Sequence, residues 1–193
     1  MKYVPMLFNR YMIQALNENR KFQTCRRIKS RFDKNNLKPS DAPIQPGDII
    51  WIRESIWINQ EDQSFCYTAN HSKYELEQLS EKHNIKKIRN IHLPKEYARI
   101  FLKVTNVKII RIQDISEQEA INEGLLKKEG KYLDYFLSME GFEDSFYRHS
   151  SVKISFFSLW SSLMGVDSWS KNDYVWVYEF EKIEKPENFD INE

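Results

Sequence analysis

The segment Asn19-Arg20-Lys21-Phe22-Gln23-Thr24-Cys25-Arg26-Arg27 follows residues with the apolar spacing of a helix and runs into a predicted strand over residues 24–28. Because side chains alternate faces along a strand, Thr24 and Arg26 point the same way. Lys21, in the turn before the strand, can lean over that face. The sequence therefore predicts that a hydroxyl, an amine and a guanidinium converge at this corner, which is enough for a nucleophile, its base and an anion-binding group.

A solvated basic turn is the competing interpretation of the same segment. Six basic side chains crowd the region: Arg20, Lys21, Arg26, Arg27, Lys29 and Arg31. The whole chain has 193 residues with 29 basic and 28 acidic side chains, so net charge does not indicate nucleic acid binding. Any such role needs a local patch.

The segment resembles the GxKxxTxR signature of the ASCH domain, a small RNA-linked domain of the PUA-like superfamily, with Lys21, Thr24 and Arg26 at the matching positions. Asn19 stands where the signature has glycine, a mild departure because Asn is the best substitute for Gly at a left-handed helix end. Further segments are similar, in the same order, to the larger ASCH-like proteins often found in phages and prophages: residues 46–54, 91–94, 112–117 and 175–177.

The resemblance runs from about residue 5 to residue 183 and implies an α+β fold, a PUA-like β-pseudobarrel with helices packed at its ends. Strands interrupted by separated helices favour the same class over βαβ units. We expect one domain over residues 1–185 and a tail over residues 186–193. Two poorly matched insertions interrupt the domain, at about residues 55–96 and 125–150. The second carries few regularly spaced apolar residues, so we expect a removable excursion at the barrel edge.

Local patterns predict the individual elements. Strands are predicted over residues 5–8, 24–28, 49–54, 64–69, 99–112 and 174–180, the long fifth one uninterrupted or bent at Asn106. Helices are predicted over residues 9–18, 73–82, 117–123 and 152–164, with Asn9 and the Ser116 capping box as start signals. The strand over residues 49–54 is apolar on both faces, which is typical of a central strand.

Glu123 is a second candidate site residue. It lies just before Gly124, at the predicted negative end of a helix, where a carboxylate costs about 0.3–1 kcal/mol. Glu119, four residues earlier, adds like-charge repulsion. Such violations of local rules often mark functional sites, although a solvated surface Glu tolerates them easily. Some small ASCH proteins resemble 4-acetylcytidine amidohydrolases with a catalytic Lys, Thr and Glu, and aligning residues 115–120 with the family helix places that Glu on Glu123.

The resemblance thus implies amide hydrolysis at an acylated exocyclic amine of cytosine by Lys21, Thr24 and Glu123. Lys21, its pKa lowered by burial near Arg26, would take a proton from Thr24 or from a water. Glu123 would orient Lys21 or carry the proton to the leaving amine, and Arg26 would stabilise the oxyanion. The sequence leaves open whether Thr24 or a water attacks. We expect substitution of Lys21 or Thr24 at such a cleft to change stability little.

Five further side chains are candidates for substrate binding. Arg53 and Glu54 follow a predicted buried strand; Arg53 can hold a phosphate or a base edge, but it fits a surface ion pair equally well. Trp51, Trp57 and Tyr67 are candidate stacking platforms for a base. Such aromatic residues are more often part of a core.

Several motifs are missing from the sequence, and their absence bears on the expected cofactor and cellular compartment. The histidines and cysteines have no metal-ligand spacing, so we expect no metal and no cofactor. Cys25 and Cys66 fit a reducing cytoplasm. No apolar run approaches the roughly 20 residues that span a membrane, and the first residues do not resemble a signal peptide. We therefore expect a cytoplasmic protein whose partner is RNA or a modified nucleoside or nucleotide, and oligomeric state stays open.

Three functions remain open at this point. The first is the amidohydrolase. The second is a non-catalytic module that binds RNA or a modified base. The third is a phage or prophage accessory protein that acts through a protein partner held by the insertions. A dry pocket with Lys21 in hydrogen-bond reach of Thr24 favours the first, and an open groove lined by arginines and aromatic residues favours the second.

Overall fold

The computed structural model describes residues 1–29, 32, 36–82, 84–135 and 148–189. Its strands are β1 (Tyr3–Leu7), β2 (Gln23–Arg27), β3 (Ile49–Arg53), β4 (Ile56–Asn59), β5 (Phe65–Tyr67), β6 (Ile85–Ile88), β7 (Phe101–Arg111), β8 (Lys127–Lys128), β9 (Lys131–Leu133), β10 (Arg148–His149) and β11 (Tyr174–Ile183). Its α-helices are α1 (Arg10–Asn17), α2 (Lys73–Ser80), α3 (Glu117–Asn122), α4 (Val152–Met164) and α5 (Asp167–Ser170). The α+β class is confirmed.

The main sheet has five strands in the order β1-β3-β7-β11-β2. Among the strand pairs that the structure describes in this sheet, only β1–β3 is parallel. Strand β3 has a partner on each side, in agreement with its apolar faces. No closed barrel forms among the described residues, because β1 and β2 are the two edges of the sheet. A side chain nevertheless links these edges: Nη2 of Arg26 on β2 donates to the carbonyl of Leu7 on β1 at 3.1 Å.

The two faces of the sheet carry different cores. In the β2–β11 ladder, Thr24 lies opposite Tyr178 and Arg26 opposite Trp176, and directly paired residues share a face. Tyr178 and Trp176 belong to the first core cluster, which α1 also covers. The intervening Cys25 points to the other face, into the second cluster, which is packed under α4.

Local signals explain the helix ends. The side chain of Asn9 accepts from the Met12 amide at 2.9 Å and begins α1. After α1, Asn19 takes the left-handed conformation with φ of 52°, as the motif comparison predicts. The predicted strand over residues 99–112 is the single long strand β7. Its pairing with β11 shifts next to Asn106, because Asn106 pairs with Glu179 and Val104 with Phe180, which leaves Thr105 of β7 without a partner in the register, as in a β-bulge.

The first insertion forms a separate three-stranded sheet in the order β5-β4-β6, with α2 beside it. The predicted strand over residues 64–69 is shorter than expected, since β5 ends at Tyr67 and a 3-10 turn over Thr68–Asn70 follows. The base of the insertion is joined by an ion pair, in which Nε of Arg99 lies 2.7 Å from Oε1 of Glu54.

The second insertion differs from the removable excursion that we expected. Four of its side chains are buried within the second core cluster: Leu125, Tyr132, Leu133 and Tyr135. They come from a turn and a short hairpin, and therefore they show no periodicity in the sequence. Residues 136–147, with Gly141, lie outside the described residues.

The predicted tail also packs in part. Phe189 is buried, and its ring lies 4.8 Å from the ring of Phe101 and 5.2 Å from that of Tyr3. Residues 190–193 are outside the described part. In the residues that are described, no helix has the length and apolar character needed to cross a membrane.

Candidate functional site

A buried ion pair joins Lys21 to Glu123, 102 positions away in the sequence. Nζ of Lys21 donates to Oε2 of Glu123 at 2.6 Å and to its backbone carbonyl at 2.9 Å. The other carboxylate oxygen, Oε1, accepts from the backbone amide of Cys25 at 2.5 Å. The two side chains are only 0% and 4% exposed. Both carboxylate oxygens of Glu123 are therefore occupied, and the amine is held in one position.

The backbone around this pair explains how it forms. Helix α3 ends at Asn122, one residue earlier than predicted, and Glu123 is its C-cap. The backbones of Lys21 and Glu123 form an isolated antiparallel bridge. Gly124 follows with φ of +94°, and a Cβ added there would lie 2.7 Å from Cβ of Ala15 and 3.0 Å from Cβ of Lys21. The close approach of α1, the β2 corner and α3 therefore requires glycine at this position.

Thr24 lies three residues after Lys21 and is completely buried. Among the described residues, its Oγ1 has no hydrogen-bond partner. A buried hydroxyl without a partner is rare and calls for an explanation, such as a water or a ligand. Among the described residues, no hydrogen bond joins Thr24 to Lys21.

Arg26 and Lys21 share an aromatic neighbour. The Phe8 ring centroid lies 5.5 Å from Nζ of Lys21 and 5.1 Å from Cζ of Arg26. Phe8 itself is 1% exposed and sits at the end of β1. Arg26 uses Nη2 on the Leu7 carbonyl, while its buried Nε has no partner among the described residues. This unused donor, like the Thr24 hydroxyl, is available to an acceptor.

Burial controls the protonation of this cluster. Desolvation lowers the pKa of Lys21, and the attraction of Glu123 opposes that shift only in part. Burial likewise lowers the pKa of Arg26. The pKa of the Cys25 thiol is raised well above its usual value by burial and then by the Glu123 charge. The site therefore contains an amine that loses its proton more readily than a free lysine, together with an unreactive thiol.

A small cavity lies beside Glu123, between β2 and α4. Its volume is about 10 Å³, close to the space occupied by a single water. Cys25, Glu123 and Trp160 are among the residues that line it. The indole Nε1 of Trp160 is buried and has no partner in the described structure.

Trp51 and Arg53, two of the predicted substrate-binding residues, lie on the other face of β3 from Ile50 and Ile52 of the first cluster. Trp51 is 5% exposed and packs in the third core cluster with Phe101 and Phe189, so it is a core residue. Arg53 donates to the Ile91 carbonyl at 2.5 Å, and its guanidinium lies 5.7 Å from the Trp51 ring.

Glu54 and Tyr67, two further predicted binding residues, are engaged by Arg99. Arg99 binds both carboxylate oxygens of Glu54, at 2.7 and 3.0 Å, and also the side chain of Asn70. Its guanidinium lies 3.6 Å from the Tyr67 ring centroid. Burial raises the pKa of Glu54, and Arg99 opposes this. Trp57 lies on β4 of the insertion and lines another cavity there.

Sequence reasoning missed Phe8, Gly124 as a packing requirement, and Arg99. Gly124 was visible only as a helix terminator, and nothing in the sequence pairs Arg99 with Glu54, 45 residues away. Among the described residues, no group of three or more His, Cys, Asp or Glu side chains could hold a metal ion.

Comparisons with known proteins give little further guidance. No protein-family model matches the chain, and no curated protein matches it. Among solved structures, the chain is similar to the crystal structure of protein EF3133 from Enterococcus faecalis V583, which is described by the family model DUF984. The similarity has a TM-score of 0.42 and 13% sequence identity, and it covers 97% of this chain and 84% of that one. At this level it carries no functional argument.

Proposed function

We propose that this chain is an ASCH-type amidohydrolase with a PUA-like pseudobarrel fold, which removes an acyl group from the exocyclic amine of a cytosine in a nucleoside or in RNA. The observation that carries the proposal is the buried Lys21–Glu123 pair next to the buried, unpartnered hydroxyl of Thr24. The three residues match the catalytic Lys, Thr and Glu implied by the motif resemblance.

Lys21 has the geometry of a general base. A neutral lysine amine has two N–H groups and one lone pair, and Lys21 donates two hydrogen bonds, both to Glu123. The remaining position of Nζ holds a proton in the cation and the lone pair in the base. Since burial lowers the pKa of Lys21, the basic form is reached at lower pH than for a free lysine.

The reaction then follows in two parts. The Thr24 hydroxyl, or a water bound to it, attacks the acyl carbonyl, and its proton passes to Nζ of Lys21. Arg26 stabilises the resulting oxyanion with its unused Nε–H. The intermediate collapses as the carbon–nitrogen bond breaks, and Lys21 returns the proton to the leaving amine of cytosine. If Thr24 is the nucleophile, a water then hydrolyses the acyl-enzyme in the same way.

The test is incubation with 4-acetylcytidine and related N4-acylated cytidines, with the products detected by mass spectrometry. We expect the wild type to release cytidine and the free acid. Thr24→Val keeps the side-chain volume and removes the hydroxyl, so it separates the two routes. Loss of turnover as severe as in Lys21→Met indicates a Thr24 nucleophile, and a milder loss indicates a positioned water. A complete substrate panel left intact by concentrated wild-type enzyme would exclude the hydrolase for those substrates.

A binding module without turnover is the second candidate. The unpartnered Oγ1 of Thr24 and Nε of Arg26 favour it as well, because both groups can bind a ligand without reaction. The missing hydrogen bond between Lys21 and Thr24 also agrees with it. In that case Arg26→Ala weakens the binding of a modified nucleoside, and neither the wild type nor any variant hydrolyses it.

A further inference from the structure

A second cavity lies in the first insertion, between α2 and the β5-β4-β6 sheet. Its volume is about 470 Å³, within the range of small-molecule sites. It contains none of the residues of the Lys21–Glu123 cluster, and the proposed hydrolase chemistry does not use it. The cavity is therefore separate from the proposed active site.

The cavity exists because only one face of the small sheet is packed. Ile56 and Ile58 point to one side and are buried with Leu93. Trp57 and Asn59 alternate with them, point to the other side and line the cavity. Helix α2 covers that side, but none of its described side chains is buried. The helix therefore stands away from the sheet and leaves an open space.

The lining of this space is aromatic. Trp57 and Tyr74 contribute to the walls, and Tyr74 is 69% exposed. Phe65 also borders the space, but it pairs in register with Ile58, and its ring packs against Tyr97 on the other face of the sheet. Exposed aromatic rings around a cavity of this size offer flat faces for a planar ring. The indole Nε1 of Trp57 is buried and has no partner among the described residues, so it can donate to an acceptor on a bound molecule.

Charged groups surround the aromatic walls. Nζ of Lys87 lies 5.5 Å from the Trp57 ring, and Lys82 belongs to the lining. The acidic member of the lining, Glu75, accepts from the backbone and hydroxyl of Ser72 as part of the α2 capping box. His71 also lines the cavity, 3.9 Å from that carboxylate. The lysines remain able to bind an anionic group.

We propose that this cavity binds a planar aromatic base that carries a phosphate, which is the chemistry of a nucleotide. The base stacks on Trp57 beside Tyr74, and the phosphate faces Lys82 and Lys87. The amide of Gln78, also in the lining, can bind the edge of the base. The same chemistry is offered by a free nucleotide and by one unit of a single-stranded RNA, and the experiment separates these two sources.

The test is titration of the whole protein with cytidine, with CMP and with a short single-stranded oligoribonucleotide, followed by calorimetry. We expect CMP to bind saturably and more tightly than cytidine, because only CMP carries the phosphate. Trp57→Ala should weaken CMP binding about fivefold or more through lost stacking, while Trp57→Phe retains most of the affinity because it keeps a ring.

Two neighbouring lysines give a matched control. Lys87 pairs in register with Trp57, whereas Lys86 pairs with Ile58 and points to the opposite face of β6. Both belong to the same strand and are exposed. Lys87→Ala should therefore weaken CMP binding and lower its salt dependence, and Lys86→Ala should leave both unchanged. Equal effects of the two changes would overturn the proposed phosphate position.

Cys66 locates the binding event, because it lines the cavity and the chain has only two cysteines. Cys25 is buried and its pKa is raised well above the usual value, whereas Cys66 is partly exposed and its pKa is raised less, so alkylation at alkaline pH reports on Cys66. Protection of Cys66 by CMP supports a free nucleotide as the ligand, and protection by RNA alone assigns the nucleotide to a strand. No protection by either at millimolar concentration overturns the proposal. That result would leave the acylcytidine hydrolysis test unaffected, since that test depends on Lys21.

Discussion

Two ion pairs of this protein each have both carboxylate oxygens hydrogen-bonded, but they differ in solvent exposure and in the polar groups around them. In the Glu54–Arg99 pair, both carboxylate oxygens accept from one guanidinium, and Arg99 is 27% exposed to solvent. In the Lys21–Glu123 pair, the amine is fully buried and lies in a corner where the Thr24 hydroxyl has no partner within the described part of the chain. The first pair closes the base of an insertion, and the second leaves unused polar groups around it.

The difference separates a structural ion pair from a candidate reactive one. Burial opposes charge in both, lowering the pKa of Lys21 and raising that of Glu54. A bidentate guanidinium offsets much of the desolvation cost of the buried Glu54 carboxylate. The single ammonium of Lys21 offsets less of the desolvation cost of its own pair, so its proton is easier to remove. Perturbed groups with unpaired neighbours are functional candidates on physical grounds.

The largest effect expected from this comparison is on turnover. Lys21→Met removes the base but keeps an apolar chain of similar length in the buried site. We expect acylcytidine hydrolysis to fall about 10²–10⁴-fold, as is usual when a general base is lost. Single-turnover assays with product detection by mass spectrometry measure it. Arg99→Ala serves as the comparison and should retain turnover within a few-fold. If both variants lose activity equally, the two pairs have the same role.

The second prediction concerns stability and corrects our expectation that Lys21 tolerates substitution. Removing one partner of a buried pair typically costs about 3–5 kcal/mol, because the other charge stays buried. Lys21→Met and Glu123→Met should each show such a loss in urea unfolding, and the double variant should lose less than the two added together. Simple additivity would mean that the two side chains are not energetically coupled.

The third prediction addresses the Glu54–Arg99 pair. Arg99→Ala leaves the Glu54 carboxylate buried without its charged donors, and we expect a loss of about 1.5–3 kcal/mol in the free energy of unfolding. The partial exposure of Arg99 places the value toward the lower end. Arg89→Ala, at an exposed arginine of the same insertion, is the matched control. A loss no larger than that of the control would show that the pair does not stabilise the insertion.

The smallest expected effect is a pH dependence specific to Lys21. The pKa of Lys21 in the folded protein lies below its ordinary value of 10.5. At a pH between the folded and the ordinary pKa, this side chain therefore binds a proton more tightly in the unfolded chain than in the folded protein. Stability of the wild type relative to Lys21→Met should therefore rise with pH in that interval, by at most about 1.4 kcal/mol per unit. Turnover should rise with pH up to the folded pKa of Lys21. Unfolding curves of the wild type and Lys21→Met at several pH values measure the relative stability. A relative stability that falls as the pH rises would contradict this prediction.

Much of the local structure was predictable from neighbouring residues. Asn9 begins α1 through its side chain, and Ser116 begins α3 through a capping box, as their spacing indicates. The alternation of β2 places Thr24 and Arg26 on one face. Each of these features depends on atoms within a few residues, so the sequence contains the relevant geometry.

Other features were not predictable in this way. The apolar residues of the second insertion, such as Tyr132 and Leu133, follow no helical or strand period, and their burial depends on the position of α4. The sequence made Trp51 a candidate for base stacking, but Phe101 and Phe189 pack against it and make it a core residue. Arg99 had no visible partner, because the strands that bring it to Glu54 are far apart in the chain.

The sequence by itself determined the α+β class, the starts of the helices and the order of Lys21, Thr24 and Arg26 at the β2 corner. The tertiary structure decided that Glu123 turns inward to Lys21, that Gly124 allows α1 and α3 to meet there, and that Arg99 occupies Glu54. The physical reason is that caps and alternation are set by nearby backbone atoms. The protonation and pairing of a buried charge depend instead on every group that excludes water from it.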